Sequence, residues 1–580
     1  MSNNSKRYIN YNRFVSEIII LTGIVLFLLL LICSSLTKSK PVETATFQKT
    51  FSMGTEQFQM EILNPLDPMD RSDDRFVSWW ENEGYYYFFL PSKWEEADVY
   101  WIFNLTDKIK IDGEEVLNGS KMYLSEGRHI VEQGEHFFEI EILFSSDIAS
   151  LFIEMEEDAL EYIHENKENI TSGEYVLFDG DGNCANEGAI ESIYCRGNAS
   201  FYEVGDKKSY TINLEDETDF MGFGKSKKWL LISNYFDESL LRNQIVNELA
   251  HSMGMKYTPQ MEYVDLYVNG EYVGNYLLSE KIEVDPERVA IYDLEKETER
   301  LNANQRYKYR NEITTGLSDI RELKWNAVET EPDEHIGGGY ILEIDYRKRY
   351  DLEESGFITS RKRPVVIQSP QYASYNQAMY IASFYQEFED ALFTDDGINA
   401  ETGKHYTEYI DMDSFIAHYY IDELSKQIDA STTSFYLYKP ETDDKFYAGP
   451  VWDYDKSFGS EYTYDQSTEG LFAALDKTQA DIWYELYNQK DFNHILRDKY
   501  VEKLYPNTVE IYSKWIPKLG DELCKSAGMN LIRCHSMQSK HDAENKYWDE
   551  VKKLSDFIEK RLFYLSKEWN FAYEEKEEKR

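Results

Sequence analysis

The sequence predicts an α+β protein in which an apolar helix and a small all-β region precede a larger domain that begins in strands and ends in helices. Three observations carry that prediction. An uncharged apolar run fills residues 18–33, residues 45–165 alternate apolar and polar side chains between turn signals, and from about residue 468 apolar positions recur at helical spacing. A chain of 580 residues is too long for one ordinary core, so two or three domains are expected.

Residues 1–16 read as a polar tail containing Lys6, Arg7 and Arg13. The run IIILTGIVLFLLLLIC, extended by Ser34, Ser35 and Leu36, reaches about 19 residues or roughly 28 Å of helix, enough to span a bilayer. A cleaved signal peptide is the rival reading. The apolar core is long for one and no small-x-small site closes it, so 17–36 is read as an uncleaved transmembrane anchor. Lys38, Lys40 and Lys49 nearly balance the basic residues in front. The terminal amine and the short tail tip the orientation toward a single-pass protein whose large C-terminal part is extracytoplasmic.

Between 45 and 165, Phe58–Ile62, Tyr85–Leu90, Tyr100–Phe103 and Phe137–Leu143 read as strands, and Asp112-Gly113 and Asn118-Gly119 as turns, giving a sandwich-like module without a catalytic constellation. Asp179-Gly180-Asp181-Gly182-Asn183 opens like a calcium loop, but Ile190 stands where the bidentate Glu belongs, so it reads as a tight turn. The net charge of −46 excludes a general nucleic-acid binder, because no basic face prevails in such a field. Cys184/Cys195 and Cys524/Cys534 are spaced for two local disulfides or for four unlinked thiols, and none has CxxC spacing.

From Ile193 the order is strand, Gly-bearing loop, strand, and a further strand opened by Lys227-Lys228. Asp237 is placed to cap a helix whose apolar face is Leu240, Leu241, Ile245, Leu249 and Met253, with Glu248 near its end. A hairpin follows, Tyr263–Val268 and Tyr272–Leu278 around Asn269-Gly270. This is the order of a kinase small lobe, where a Lys meets phosphates and pairs with a helix Glu. Residues 295–335 are polar and read as an insertion or mobile segment. Gly337-Gly338-Gly339 lead a strand, Tyr340–Asp345, and form no phosphate loop, because no Lys-Ser/Thr follows. Helices are expected at 373–395 and 412–427, and beyond 468 with Trp483, Leu486, Tyr487, Ile495, Tyr500 and Leu504 as core, before a charged tail at 574–580.

The second helix runs into DASTTSFYLYKPETDDKFYAGPVWDYDKSFG, residues 429–459. Strands Ser434–Tyr438 and Phe446–Trp452 make a hairpin with Asp429 at one mouth and Asp453 and Asp455 near the same mouth. Read as an extended strand, 453–455 points both carboxylates one way. Converging carboxylates are what a divalent-metal phosphoryl-transfer site needs; the bland reading is an acidic surface hairpin.

RGNAS at 196–200, Lys207-Lys208, GKSKKWLLISNY at 224–235, SLLRN at 239–243, TPQMEYVDLYVNGEYVGNYLLSEKI at 258–282, GGYILEID at 338–345 and GPVWDYDKSFG at 449–459 together resemble the CotH family of spore-coat atypical protein kinases. The resemblance covers roughly residues 190–570, and the N-terminal region resembles membrane-anchored clostridial-type members. It implies a kinase-like domain at 170–570, with a small lobe at about 190–345 and a helical large lobe at about 370–570. It also implies transfer of phosphate from ATP, with Mg or Mn, to Ser or Thr of an envelope or spore-coat protein. Asp429 would be the catalytic acid, Asp453 and Asp455 the metal ligands with Ser434 beside them, and Arg196, Lys208, Lys228 and Glu248 the nucleotide contacts. Three departures stand out. Ser434 replaces the Asn of many relatives, Gln427-Ile428-Asp429 stands where an Asn-x-Asp entry is expected, and Tyr210-Thr211-Ile212-Asn213 has Asn213 where relatives carry Lys. Lys208 and Lys228 are both candidates for the missing cation. The Ser434 and Asn213 departures motivate one alternative, an inactive scaffold for coat or envelope assembly; the other is a transferase on the same fold that moves a different group such as AMP.

Overall fold

The computed structural model describes residues 59–569 except 65–74, 83, 96–98, 105, 122, 124, 303–310, 331–335, 464 and 476–480. The expected anchor at 17–36, the tail before it, Cys33 and the charged tail at 574–580 lie outside the described residues. Among the described residues no helix is long and apolar enough to cross a membrane.

The architecture is α+β. Two open sheets built from residues 60–144 lead the chain. One orders Arg75–Ser78, Met60–Asn64, Tyr100–Phe103 and Ser120–Lys121; the other orders Trp80–Asn82, Tyr85–Leu90, His136–Phe144, Gly127–Gln133, Lys108–Ile111 and Glu114–Leu117. Lys108–Ile111 turns Ile109 and Ile111 inward and its lysines outward, as a half-buried strand should. The two sheets meet where Phe88 packs edge-on against Trp101, ring centroids 5.6 Å apart.

A barrel follows, its strands running Ala149–Met155, Thr171–Phe178, Cys184–Arg196, Ser209–Asp219, Lys225–Ile232, Glu271–Glu280 and Met261–Val268. Parallel pairing of the last with the first, Ala149 opposite Val264, closes it. Leu151, Ile193, Ile212, Trp229, Leu266 and Tyr276 belong to the cluster that fills it, so it is a packed core without a channel. The N-terminal sheets sit on this barrel. Ser78 N donates to Gly270 O at 2.9 Å, and Phe76 lies so close over Gly270, at φ +78°, that a Cβ there would strike its ring. The helix after the fifth strand is Arg242–Ser252, N-capped by Leu241 rather than Asp237. Asp237 still serves it from outside, accepting from Arg242 N at 2.8 Å and pairing with the buried Arg242 guanidinium.

The next sheet orders Asn311–Thr315, Ile320–Asn326, Gly356–Thr359, Pro364–Ser369, Tyr340–Ile344, Phe435–Lys439 and Tyr447–Ala448. The expected insertion at 295–335 is therefore corrected. It contains helix Leu294–Asn302 and a hairpin in this sheet. Helix Tyr375–Leu392 opens on a capping box, Ser374 with Gln377. Helix Met412–Ser425 opens on Asp411, whose side chain accepts from Ser414 N. Helix Lys540–Glu568 packs behind it and buries Arg561 against Glu423, both fully enclosed.

Among the described residues the four cysteines, Cys184, Cys195, Cys524 and Cys534, are unlinked. Cys184 and Cys195 occupy one strand, 11 residues or roughly 36 Å apart. Cys524 and Cys534 share helix Ile516–His535 about 15 Å apart. Neither spacing meets the Cα separation of about 7 Å or less that a disulfide needs.

Candidate active site

A cavity of about 480 Å³ opens between the barrel and the second large sheet. One wall is the loop Arg196–Ser200, the end of strand Lys225–Ile232, and Asn243 and Asn247 of helix Arg242–Ser252. The facing wall is Glu343, Asp345, Asp429, Ser434 and residues 451–456. Gly197 has φ +75°, and a Cβ there would strike Ser200 Oγ, so the loop turns back on itself with Ser200 Oγ donating to Arg196 O at 3.1 Å. That turn sends the Arg196 guanidinium across the cavity, 5.4 Å over the Trp452 ring.

Asp429, Ser434, Asp453 and Asp455 all line the cavity, as the hairpin pattern predicts. The way Asp453 gets there differs from expectation. Its strand ends at Ala448, and Asp453 lies in the left-handed region at φ +70°, not on an extended run with Asp455. Such a backbone in a residue other than Gly persists only where its surroundings hold it. Gln427 does so: its Nε2 donates to Asp453 O at 2.6 Å while its Oε1 accepts from Asp429 N at 3.4 Å. Tyr454 N donates to Asn243 Oδ1 at 2.8 Å, tying the same turn to the barrel-side helix. Tyr454 OH donates to Asp422 Oδ1 at 2.5 Å, and Trp483 Nε1 to Asp422 Oδ2 at 2.8 Å. Ser434 Oγ donates to Asp453 Oδ2 at 3.4 Å, so the serine in the place of an Asn still reaches the second acid.

The carboxylates raise one another. Burial, then the charge of Asp453, pushes Asp429 up to about 7. Burial and Asp453 push Asp455 up to about 8. Asp453 faces the water of the cleft, yet protein encloses it on its other sides; that desolvation raises its carboxyl, and Arg196 and Lys456 oppose the rise. Glu343 is pushed up to about 8 by burial and by Asp345.

The residues sequence reasoning missed are Asp345 and Lys456; Gln427 is legible in the sequence only as a departure from the family pattern, without its tie to Asp453. Thr433 Oγ1 donates to Asp345 Oδ1 at 2.5 Å, joining the end of strand Tyr340–Ile344 to the Asp429 loop. Lys456 offsets the charge of Asp429, Asp453 and Asp455 alike. Asp345 and Lys456 sat inside the quoted GGYILEID and GPVWDYDKSFG, so the signal was present without a role attached.

Three expected nucleotide contacts stand away from the cavity lining. Lys208 is buried beneath the loop, its Nζ donating to Phe201 O at 2.8 Å. The alternation that buries Trp229 inside the barrel turns Lys228 outward, 3.8 Å from Glu283. On helix Arg242–Ser252, Asn243 and Asn247 face the cavity; Glu248, one residue round the helix, lines a different cavity with Asn507 and Lys514. Of the four, only Arg196 lines the site.

Asp453, Asp455 and Ser434 present hard oxygen donors, which suit Mg or Mn. Among the described residues no group of three or more His, Cys, Asp and Glu is arranged to hold a metal by itself. A magnesium-type ion typically takes one or two carboxylates and completes its shell with phosphate oxygens and water, so the donor set fits a cation that arrives with a phosphate ligand. A linkage prediction follows. Asp429 and Asp455 have folded-state values near 7 and 8, above the unfolded 3.8, so the stability they contribute is complete below about pH 4 and lost as pH rises through those values. A divalent cation offsets the charge that develops, so the increase in Tm given by Mn²⁺ is expected to be larger at about pH 8 than at about pH 6. Equal increases at both pH values would sink this reading of the acids.

A family model described as CotH kinase protein matches residues 193–565. A comparison with curated proteins finds no match.

Proposed function

From the premise that the chain belongs to the CotH kinase protein family, we propose that it is a phosphotransferase moving the terminal phosphate of ATP to Ser or Thr hydroxyls of an envelope or spore-coat protein. In this reading the barrel with helix Arg242–Ser252 acts as the small lobe of a two-lobed kinase-like domain, which reaches back past the expected start at 170 to the barrel's first strand, Ala149–Met155, and on to about 570. The second large sheet and the helices after it act as the large lobe. A membrane anchor at 17–36 holds the large C-terminal part outside the cytoplasmic membrane. The observation that carries the reading is the convergence of Asp429 and Asp453, from the two ends of one hairpin, on a cavity roofed by the Arg196–Ser200 loop.

Each residue has a role. Asp429 accepts the proton as the acceptor hydroxyl oxygen bonds to the γ-phosphorus and the bond to the bridging oxygen of ADP breaks. An acid held near 7 takes up that proton at neutral pH. Tyr346 OH, 3.4 Å from Asp429 Oδ1, orients the carboxylate. Asp453 and Asp455, with Ser434, would hold Mg or Mn, which supplies neutralisation of phosphate charge when bound. Arg196 and Lys456 bring cations to the phosphate end, the task that Asn213 cannot perform; Asn213 Nδ2 is occupied with Ser192 Oγ at 2.8 Å.

The purified protein with Mn²⁺ and labelled ATP is expected to transfer phosphate to itself or to a Ser/Thr acceptor. Mn²⁺-ATP is expected to raise its Tm, and Asp453→Ala to abolish that rise. No transfer and no nucleotide-dependent rise would replace this reading with the inactive scaffold. A nucleotidyl adduct seen by mass spectrometry would replace it with AMP transfer.

A further inference from the structure

The segment after the Asp453 turn is fastened to the Asp429 loop by charges that the proposed chemistry does not use. Helix Met412–Ser425 ends at Lys426, whose backbone is left-handed at φ +50°. Gly is the usual residue for such a helix end, so a lysine here bears strain for the sake of its side chain. That side chain is 1% exposed, and its ammonium donates to Asp465 Oδ2 at 2.7 Å and to Glu469 O at 2.8 Å. Arg561 donates to Thr468 O at 3.2 Å and to Gly470 O. Glu423, its buried partner, accepts from Phe472 N at 2.6 Å. Residues 465–472 are thus clipped at several points to the last turn of the helix, and Lys426 stands three residues before Asp429. An ammonium buried this deeply is tolerable only while paired, so if the segment swings away, Lys426 and the loop behind it must rearrange.

We propose that Lys426 and Asp465 are positioning residues for Asp429. They form a preformed ion pair that holds residues 465–472 against the Asp429 loop, doing with a resident carboxylate what an added phosphate does where a loop is ordered by phosphorylation. The proposal rests on the phosphotransferase reading and adds to it that the site is set without an activating modification. The protein purified after phosphatase treatment therefore transfers at the same rate as before it.

The test compares wild type, Asp465→Asn, Lys426→Gly and Lys426→Arg, with Mn²⁺-ATP and dephosphorylated casein as acceptor and amide hydrogen exchange as a second readout. Asp465→Asn and Lys426→Gly are expected to lose about tenfold or more in kcat, the effect of a displaced reacting group, while the Tm rise given by Mn²⁺-ATP persists. Gly relaxes the left-handed backbone, so its loss reports the missing charge, and Lys426→Arg restores most of the rate. In Asp465→Asn, exchange is expected to quicken in residues 427–434 as well as in 466–472 and to stay unchanged in the barrel. Quickening confined to 466–472, undiminished transfer by Asp465→Asn, or loss of activity on phosphatase treatment overturns the proposal. A wild-type protein that transfers nothing overturns the phosphotransferase reading instead, and the exchange pattern still decides whether the two segments are coupled.

Discussion

Replacing Asp429 by Asn is expected to lower phosphate transfer by about 10²–10⁴-fold while nucleotide-dependent stabilisation remains. Asn keeps the shape of the side chain and its contact with Tyr346 but cannot take a proton from the acceptor hydroxyl. The fold has little to lose, because burial and Asp453 already disfavour the charged form of Asp429. Removing that charge leaves Asp453 and Asp455 with one fewer like neighbour, so the Tm of the metal-free protein is expected to hold or rise at about pH 8. Labelled-ATP transfer and a melting curve on the same sample check both halves. Transfer within about threefold of wild type would remove Asp429 from the proton-accepting role.

Arg561→Met is expected to destabilise the protein by about 3–5 kcal/mol, the usual consequence of stranding a buried charge. Arg561 and Glu423 are both fully enclosed, and Arg561 also donates to Glu423 O at 2.9 Å. Methionine fills much of the volume but leaves the buried Glu423 carboxylate without its paired guanidinium. Urea unfolding of the two proteins measures the difference. A loss below about 1 kcal/mol would show that Glu423 is neutral or solvated in the native state. Because Glu423 accepts from Phe472 N, the same substitution is expected to loosen residues 468–472 before the whole protein unfolds.

What was legible in the sequence was local. The hairpin expected at Ser434–Tyr438 is strand Phe435–Lys439, and the helix expected at 412–427 is Met412–Ser425, set by a capping Asp and a continuous apolar face. Asp429 and Asp453 could be brought to one mouth because a hairpin returns its ends to each other, whatever the rest of the chain does. The lysines failed for the opposite reason. Lys208 precedes strand Ser209–Asp219 and turns in under the loop, and whether Lys228 meets the cavity depends on which face of a closed barrel it occupies; that closure pairs Ala149–Met155 with Met261–Val268, more than a hundred residues on. No local pattern announces such a pairing. The hairpin inside 295–335 was hidden because Asn311–Thr315 is an edge strand with a single neighbour, and edge strands carry the polar residues that make a segment look like a loop. Lys456 was missed because a sequence motif shows which residues travel together, and the field in a cleft depends on which charges face it.

The closure of the barrel also separates what is inherited as a recognisable pattern from what is able to fold. The family match begins at residue 193, inside strand Cys184–Arg196. A chain begun there would lack Ala149–Met155 and Thr171–Phe178 and keep only the last four residues of the strand that follows them. Met261–Val268 would then be left with a bare edge and Trp229 and Tyr276 with part of their packing gone. Such a fragment, cut at the border that similarity draws, is expected to aggregate. The smallest self-sufficient piece must reach back at least to Ala149, so residues that carry no family signature are as much a part of the barrel as those that do.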